Sequence, residues 1–198
     1  MPTGVARASI LLAAGEGRRY RQQGGEDKLL VSSRRDDPAS PVVLLASMQL
    51  FAGVCERCVV VLPAGNPERL ELVERHAAEL GIEWLVVNTD GLGHSLAQAV
   101  ERIPVHAGWL VGLADMPYVQ RKTLEQLAAA LRPETLLVPT HANRRGHPRA
   151  IGAAYFDVLR QLDGDRGAQA LFASAQVAEL LVEDAGIALD IDTPADRL

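Results

Sequence analysis

The sequence predicts an α/β fold with a mostly parallel central sheet and helices on both faces. Three observations carry this. Short runs rich in Val, Ile and Leu recur along the chain, stretches of helical period separate them, and the runs are continuously apolar, as strands buried on both faces are. The strand candidates are 8–13, 57–62, 83–88, 108–113, 135–139 and 177–183.

Taken in order, "ASILLA" at 8–13 is apolar and then breaks into small residues and glycine. The polar stretch "SSRRDDPASP" at 32–41 reads as a surface loop. Cys55 and Cys58, in "CERC", invite a redox or zinc reading. The pair follows a helical stretch and leads into the strand "RCVVVL", whereas a reactive pair draws its low pKa from a helix N-terminus, so both are read as structural. "NPERLELVERHAAELG" is a helix with Asn66 as N-cap, Pro67 in its first turn, Leu70, Val73, Ala77 and Leu80 on its apolar face, and Gly81 ending it. The helical pattern "TLEQLAAALR" begins near Thr123.

One core of ordinary size fits 198 residues, so one domain spanning 1–198 is expected. A net charge of −5 argues against a general nucleic-acid binder, which needs a basic face. No apolar stretch reaches the roughly 18 residues of a membrane span, and no cleavage-like ending follows the N-terminal segment. A cytoplasmic location with no membrane partner is expected.

In open parallel sheets ligands bind beyond the carboxyl ends of the strands. Four stretches stand there: 13–28, "NTDGLGHS", "ADMP" and "THANRRGHPRA". In the first, "LAAGEGRR" lets backbone amides approach an anion, and arginines add charged donors. It matches neither the P-loop nor the dinucleotide fingerprint. Lys28 is one of only two lysines, and a compact ammonium suits phosphate; the same stretch also reads as a solvated turn. Asp115 directly follows a strand, and the next helical pattern starts too late for it to be the cap, which favours a Mg²⁺ ligand. Asp190 and Asp192 in "LDIDTPADRL" fall on one face of an extended strand and offer further carboxylates; Asp192 as a helix cap before Pro194 is the alternative. In "RRGHP", Arg144, Arg145 and Arg149 offer charge around His147.

Together "LAAGEGRRY", "GGEDKLL", "ADMPYV", "NRRGHPRAIG", "GDRGAQALF" and "DIDTPADRL" resemble the molybdenum cofactor cytidylyltransferases, within the MobA-like NTP transferases, over residues 8–198. The resemblance implies a Rossmann-like nucleotidyltransferase fold and Mg²⁺-dependent transfer of CMP from CTP to molybdopterin, releasing pyrophosphate. It implies Lys28 and Arg19 as catalytic residues. Leu12, Ala13, Ala14, Gly15, Gly17, Asn88, Gly91, Gly93 and Ser95 would bind nucleotide, and Asp115, Asp192 and Asp190 the metal. Arg145, Gly146, His147 and Arg149 would bind the acceptor. Ala14 tilts the reading to cytidine over guanosine. Departures from the family pattern are Tyr20 in place of Met, a longer stretch before Lys28, and His94 in place of serine, where it could touch base or ribose. The alternatives are a nucleotidyltransferase acting on another phosphate or sugar phosphate, and a nucleotide-binding adaptor serving a molybdenum hydroxylase client.

Overall fold

The computed structural model describes residues 5–173 and 176–198. β1 (Val5–Leu12) ends where the small residues begin, and the loop 13–17 leads into α1 (Arg18–Gly24). The stretch expected as a surface loop is instead an antiparallel hairpin, β2 (Ser32–Arg34) and β3 (Asp37–Val42). Its support is non-local: the Tyr118 hydroxyl donates to Ser33 O at 2.6 Å, and Arg197 donates to Ser32 O at 3.2 Å. No local pattern pairs those groups.

α2 (Val43–Phe51) and β4 (Arg57–Pro63) follow, then α3 (Pro67–Leu80), whose Asn66 side chain accepts from Arg69 N–H at 3.1 Å and whose Gly81 cap is left-handed. β5 (Glu83–Val87), α4 (Leu92–Arg102), β6 (Val105–Leu113) and α5 (Arg121–Ala130) continue the alternation. β7 (Leu136–His141), β8 (Arg144–Arg145), β9 (Arg149–Gly152), the short helices α6 (Phe156–Leu159) and α7 (Gln169–Phe172), and β10 (Ala178–Leu181) complete it.

The sheet order is β10-β7-β9-β6-β1-β4-β5, with β8 paired to β7. β1 lies between β4 and β6 and is parallel to both; β4–β5 and β7–β10 are also parallel. β9 is antiparallel to β6 and β7. Alternating side chains build two cores. Leu11, Val60 and Leu110 face α2, α3 and α5; Ile10, Leu12, Val59 and Val111 face α4 and the short helices. The cysteines are free, and burial raises both thiols, Cys58 to about 12, which leaves them protonated packing groups.

Because β1, β4, β5 and β6 run parallel, the loops after them share one edge of the sheet. The segment 184–192 is brought to that edge by Asp184, which is buried. Its carboxylate accepts from Gln120 N–H at 2.9 Å, the Thr123 hydroxyl at 2.6 Å and Gly186 N–H at 3.0 Å. This contact also explains why α5 starts at Arg121: the remote Asp184 supplies the cap that Gln120 does not.

Replacing Asp184 with Ala leaves three donors without their acceptor. We expect a loss of roughly 2–4 kcal/mol of folding stability, read from the midpoint of urea unfolding at unchanged slope. An unaltered midpoint contradicts the assignment.

Candidate active site

Lys28 stands in a turn after α1, only 7% exposed. Its ammonium donates to Asp115 Oδ2 at 2.6 Å and to Asp192 Oδ1 at 3.3 Å. Burial alone lowers the pKa of such a group, but the Asp115 carboxylate, then Asp192, outweighs burial and holds Lys28 above the ordinary lysine value. It is therefore charged at neutral pH. Arg19, exposed, donates to the other oxygen of Asp192 at 2.8 Å.

Asp115 sits in the turn after β6 and caps no helix. Its Oδ1 is buried with no hydrogen-bond partner among the described residues. A buried carboxylate oxygen left unpaired is the donor a divalent cation takes, with Asp192 beside it, so these residues fit such an ion. Residues 189–192 belong to no strand: Ile191 N–H donates to Asp115 O at 2.9 Å, and its side chain is buried. The same-face strand pairing expected for Asp190 and Asp192 is absent. Asp190 is exposed and makes no hydrogen bond or ion pair among the described residues, so it does not join Asp115 and Asp192. Nor is Asp192 a cap: Thr193 and Asp196 form the capping box of the final turn, which leaves the Asp192 carboxylate to Lys28 and Arg19.

Leu12, Ala13 and Ala14 are buried at the root of the next loop, and Gly15 is exposed on it. Gly17 has φ +60, the left-handed region, and the Lys28 side chain passes 3.3 Å from where a Cβ would stand, so glycine serves both backbone and packing. Behind the loop lies Arg69, 1% exposed, whose guanidinium donates to Ala13 O, Gly15 O and both oxygens of Asp27 at 2.6–2.8 Å. Burial raises the Asp27 pKa, but the Arg69 fork and two further donors bring it below the ordinary aspartate value. Removing one partner from such a buried pair typically costs about 3–5 kcal/mol.

Across the cleft, Asn88 is exposed and its carbonyl accepts from Gln98. Gly91 opens α4 and lines a chamber with 14–18, Thr89, Asp90, Leu92 and Asp165. A side chain there would meet the Gly164 carbonyl at 2.4 Å. Gly93 and Ser95 lie beneath this chamber instead of lining it: Gly93 packs on Asp163 O, and the buried Ser95 hydroxyl supports Thr89 and Gly91. His94 turns to Asp90, Nδ1 to Oδ1 at 2.9 Å.

The "RRGHP" residues divide. Arg145 pairs with Glu179 at 2.7 Å on the sheet edge, and Gly146 packs against Ile187 O, so neither faces the cleft. His147 and Arg149 line an apolar pocket with Leu12, Leu92, Leu96, Val111 and Ile151. His147 Nδ1 and Arg149 Nε are buried without a partner among the described residues, and the Arg149 guanidinium lies 4.6 Å from the Phe172 ring centre. Burial, then the nearby Arg149 charge, lowers the His147 pKa to about 3, so the imidazole is neutral.

Sequence reasoning missed Arg69, Asp27 and Thr89. One signal was present for Arg69: it lies four residues before Val73 and eight before Ala77, a charge within the buried stripe of α3.

A family model described as MobA-like NTP transferase domain matches residues 9–180. The purine catabolism protein PucB of Bacillus subtilis is 29% identical, over 94% of this chain and 92% of its own length. The crystal structure of Rv0371c from Mycobacterium tuberculosis superposes with a TM-score of 0.77 at 28% identity, covering 98% of this chain and 96% of that one. A manganese complex of the same protein gives a TM-score of 0.72 at 26% identity, covering 97% and 96%. A nucleotidyl transferase from Methanothermobacter shares the fold, with a TM-score of 0.75 at 21% identity over 98% of this chain and 94% of its own.

The His147 ring gives a pH prediction. Its folded pKa lies below the unfolded 6.5, so the unfolded chain binds the proton first and stability falls with acidification below about pH 6.5. From pH 7 to pH 5 this group removes about 2 kcal/mol. H147N should flatten that part of the stability–pH curve in chemical denaturation, and a curve parallel to wild type refutes the neutral, buried imidazole.

Proposed function

We propose that this chain, which belongs to the MobA-like NTP transferase family, transfers a nucleotidyl group to a phosphate acceptor. An acceptor phosphate oxygen attacks the α-phosphorus of a nucleoside triphosphate. The new P–O bond forms as the bond to the α–β bridging oxygen breaks, and pyrophosphate leaves with that oxygen. The attacking oxygen is already anionic, so no base has to remove a proton.

The observation that carries this reading is the buried Lys28 ammonium between Asp115 and Asp192, at the mouth of the 13–17 loop. In this reading Lys28 serves the α-phosphate, where charge grows, and Arg19 the departing β- and γ-phosphates; amides of 14–17 hold the triphosphate, the Ala13 N–H being spent on Val61 O. The chamber around Thr89, Asp90 and Gly91 offers acceptors to the hydroxyl and amino donors of ribose and base. Asp115 and Asp192 would hold a divalent cation, Mg²⁺ in this proposal, which when bound neutralises phosphate charge.

The finer assignment is CTP as donor and molybdopterin as acceptor. Ala14 in "LAAG" supports cytidine through the motif resemblance. Molybdopterin as acceptor is supported by the "NRRGHPRAIG" resemblance; the apolar pocket beside His147 and Arg149 is about 40 Å³, too small for a pterin as it stands. A second reading, a nucleotide-binding adaptor without turnover, is favoured by one observation: the relative PucB bears the name of a purine catabolism protein, not of a transferase.

Pyrophosphate release from CTP, GTP, ATP and UTP with molybdopterin and Mg²⁺ decides among these. Release with CTP is expected; a preference for GTP removes the cytidine assignment, and CTP binding without release supports the adaptor. Lys28→Ala should lower kcat by about 10²–10³-fold with a smaller change in CTP affinity. Asp115→Asn should weaken the Mg²⁺ dependence of turnover, and an unaltered Mg²⁺ titration removes Asp115 from the ion.

A further inference from the structure

We propose that Arg69, which stands behind the cleft, is a positioning residue that sets the polarity of the 13–17 loop and locks that loop to the Lys28 turn. The inference rests on reading the loop as the phosphate site.

Arg69 spends one guanidinium nitrogen on two carbonyls of the loop: Nη1 donates to Ala13 O at 2.6 Å and to Gly15 O at 2.8 Å. In a planar trans peptide the carbonyl and the next N–H point in opposite directions. With these two carbonyls drawn to Arg69, the N–H groups of Ala14 and Glu16 are turned away from it. A phosphate is repelled by carbonyl oxygens and attracted by amides, so the arginine removes the loop's repulsive groups from the side where an anion would lie.

The other edge of the same fork fixes the lysine. Nε and Nη2 donate to Oδ2 and Oδ1 of Asp27, each at 2.8 Å. Asp27 Oδ1 also accepts from Leu29 N–H at 3.0 Å, and Oδ2 from the Asn66 amide at 2.9 Å. Residues 27 and 29, on either side of Lys28, are thereby held by one carboxylate. A single buried plane therefore ties the loop after β1 to the turn that carries Lys28, although α1 separates them in sequence. A planar, five-donor fork can bracket two carbonyls and a carboxylate at once; a lysine ammonium cannot.

The test uses the full chain and inorganic tripolyphosphate, titrated by calorimetry, with circular dichroism reporting folding. Arg69→Lys and Arg69→Met should each weaken tripolyphosphate about 10–100-fold, the range known for partners that orient a binding group. Val73→Ala, in the same helix and equally buried, should lower the thermal midpoint while leaving that affinity unchanged; a purely structural Arg69 would behave the same way. A folded Arg69→Lys that binds tripolyphosphate like wild type overturns the proposal. If neither Arg69 variant folds, the isosteric Asp27→Asn decides, and wild-type affinity in it is equally fatal. Binding that depends on Lys28 but not on Arg69 or Asp27 refutes this inference and leaves the proposed function standing. A wild-type chain that binds neither tripolyphosphate nor CTP removes both.

Discussion

Lys28 carries its charge where little water can solvate it, so Asp115 and Asp192 must both stand at its ammonium and three distant stretches of chain must meet there. The rest of the cleft follows from that demand. β6 has to end at Leu113, just before Asp115, the segment after Asp184 has to return to the same edge, and Ile191 N–H has to engage Asp115 O. The two carboxylates differ in what they have left to give. Asp115 retains an unpaired oxygen, and Asp192 turns its second oxygen to Arg19. Two cations and two carboxylates thus form one cluster, in which Asp115 Oδ1 alone is left without a partner among the described residues.

The polarity of the cleft is graded. Near Lys28 and Arg19 it is fully charged, two cations set against the carboxylates of Asp115 and Asp192. Around Thr89, Asp90 and Gly91 it is rich in acceptors, and around His147 and Arg149 it is apolar with two buried polar atoms held in reserve. The gradient is produced by backbone packing as much as by side chains. Gly91 and Gly93 let the 163–164 loop press against the start of α4, and Arg69 gathers the loop carbonyls on the far side. Burial keeps the His147 imidazole neutral, which leaves Arg149 as the charge on that wall of the pocket.

The sheet and its helices were legible because burial on both faces leaves continuous apolar runs, and because caps are local chemistry; Asn66 and Gly81 bound α3 as their residue types require. The rule placing ligands beyond the strand ends singled out the stretches of Lys28 and Asp115, which the structure brings into contact, and "RRGHP", of which Arg145 and Gly146 turn away and His147 lines a pocket. Other features escaped because their cause is not local. The hairpin at 32–42 depends on Tyr118 and Arg197, and the start of α5 depends on Asp184. Arg145 looked like a partner of His147 and is held instead by Glu179 on β10.

What the sequence determined by itself is the alternation of elements, their apolar faces and the set of chemical groups at one edge, since each arises from the period and type of neighbouring residues. Which of those groups touch was decided only by the tertiary structure. Asp192 reaches Lys28 while Asp190 does not, and Arg69 holds Asp27, because such contacts depend on how loops far apart in the chain are folded against one another, to within a hydrogen-bond length. No spacing along the chain encodes that distance.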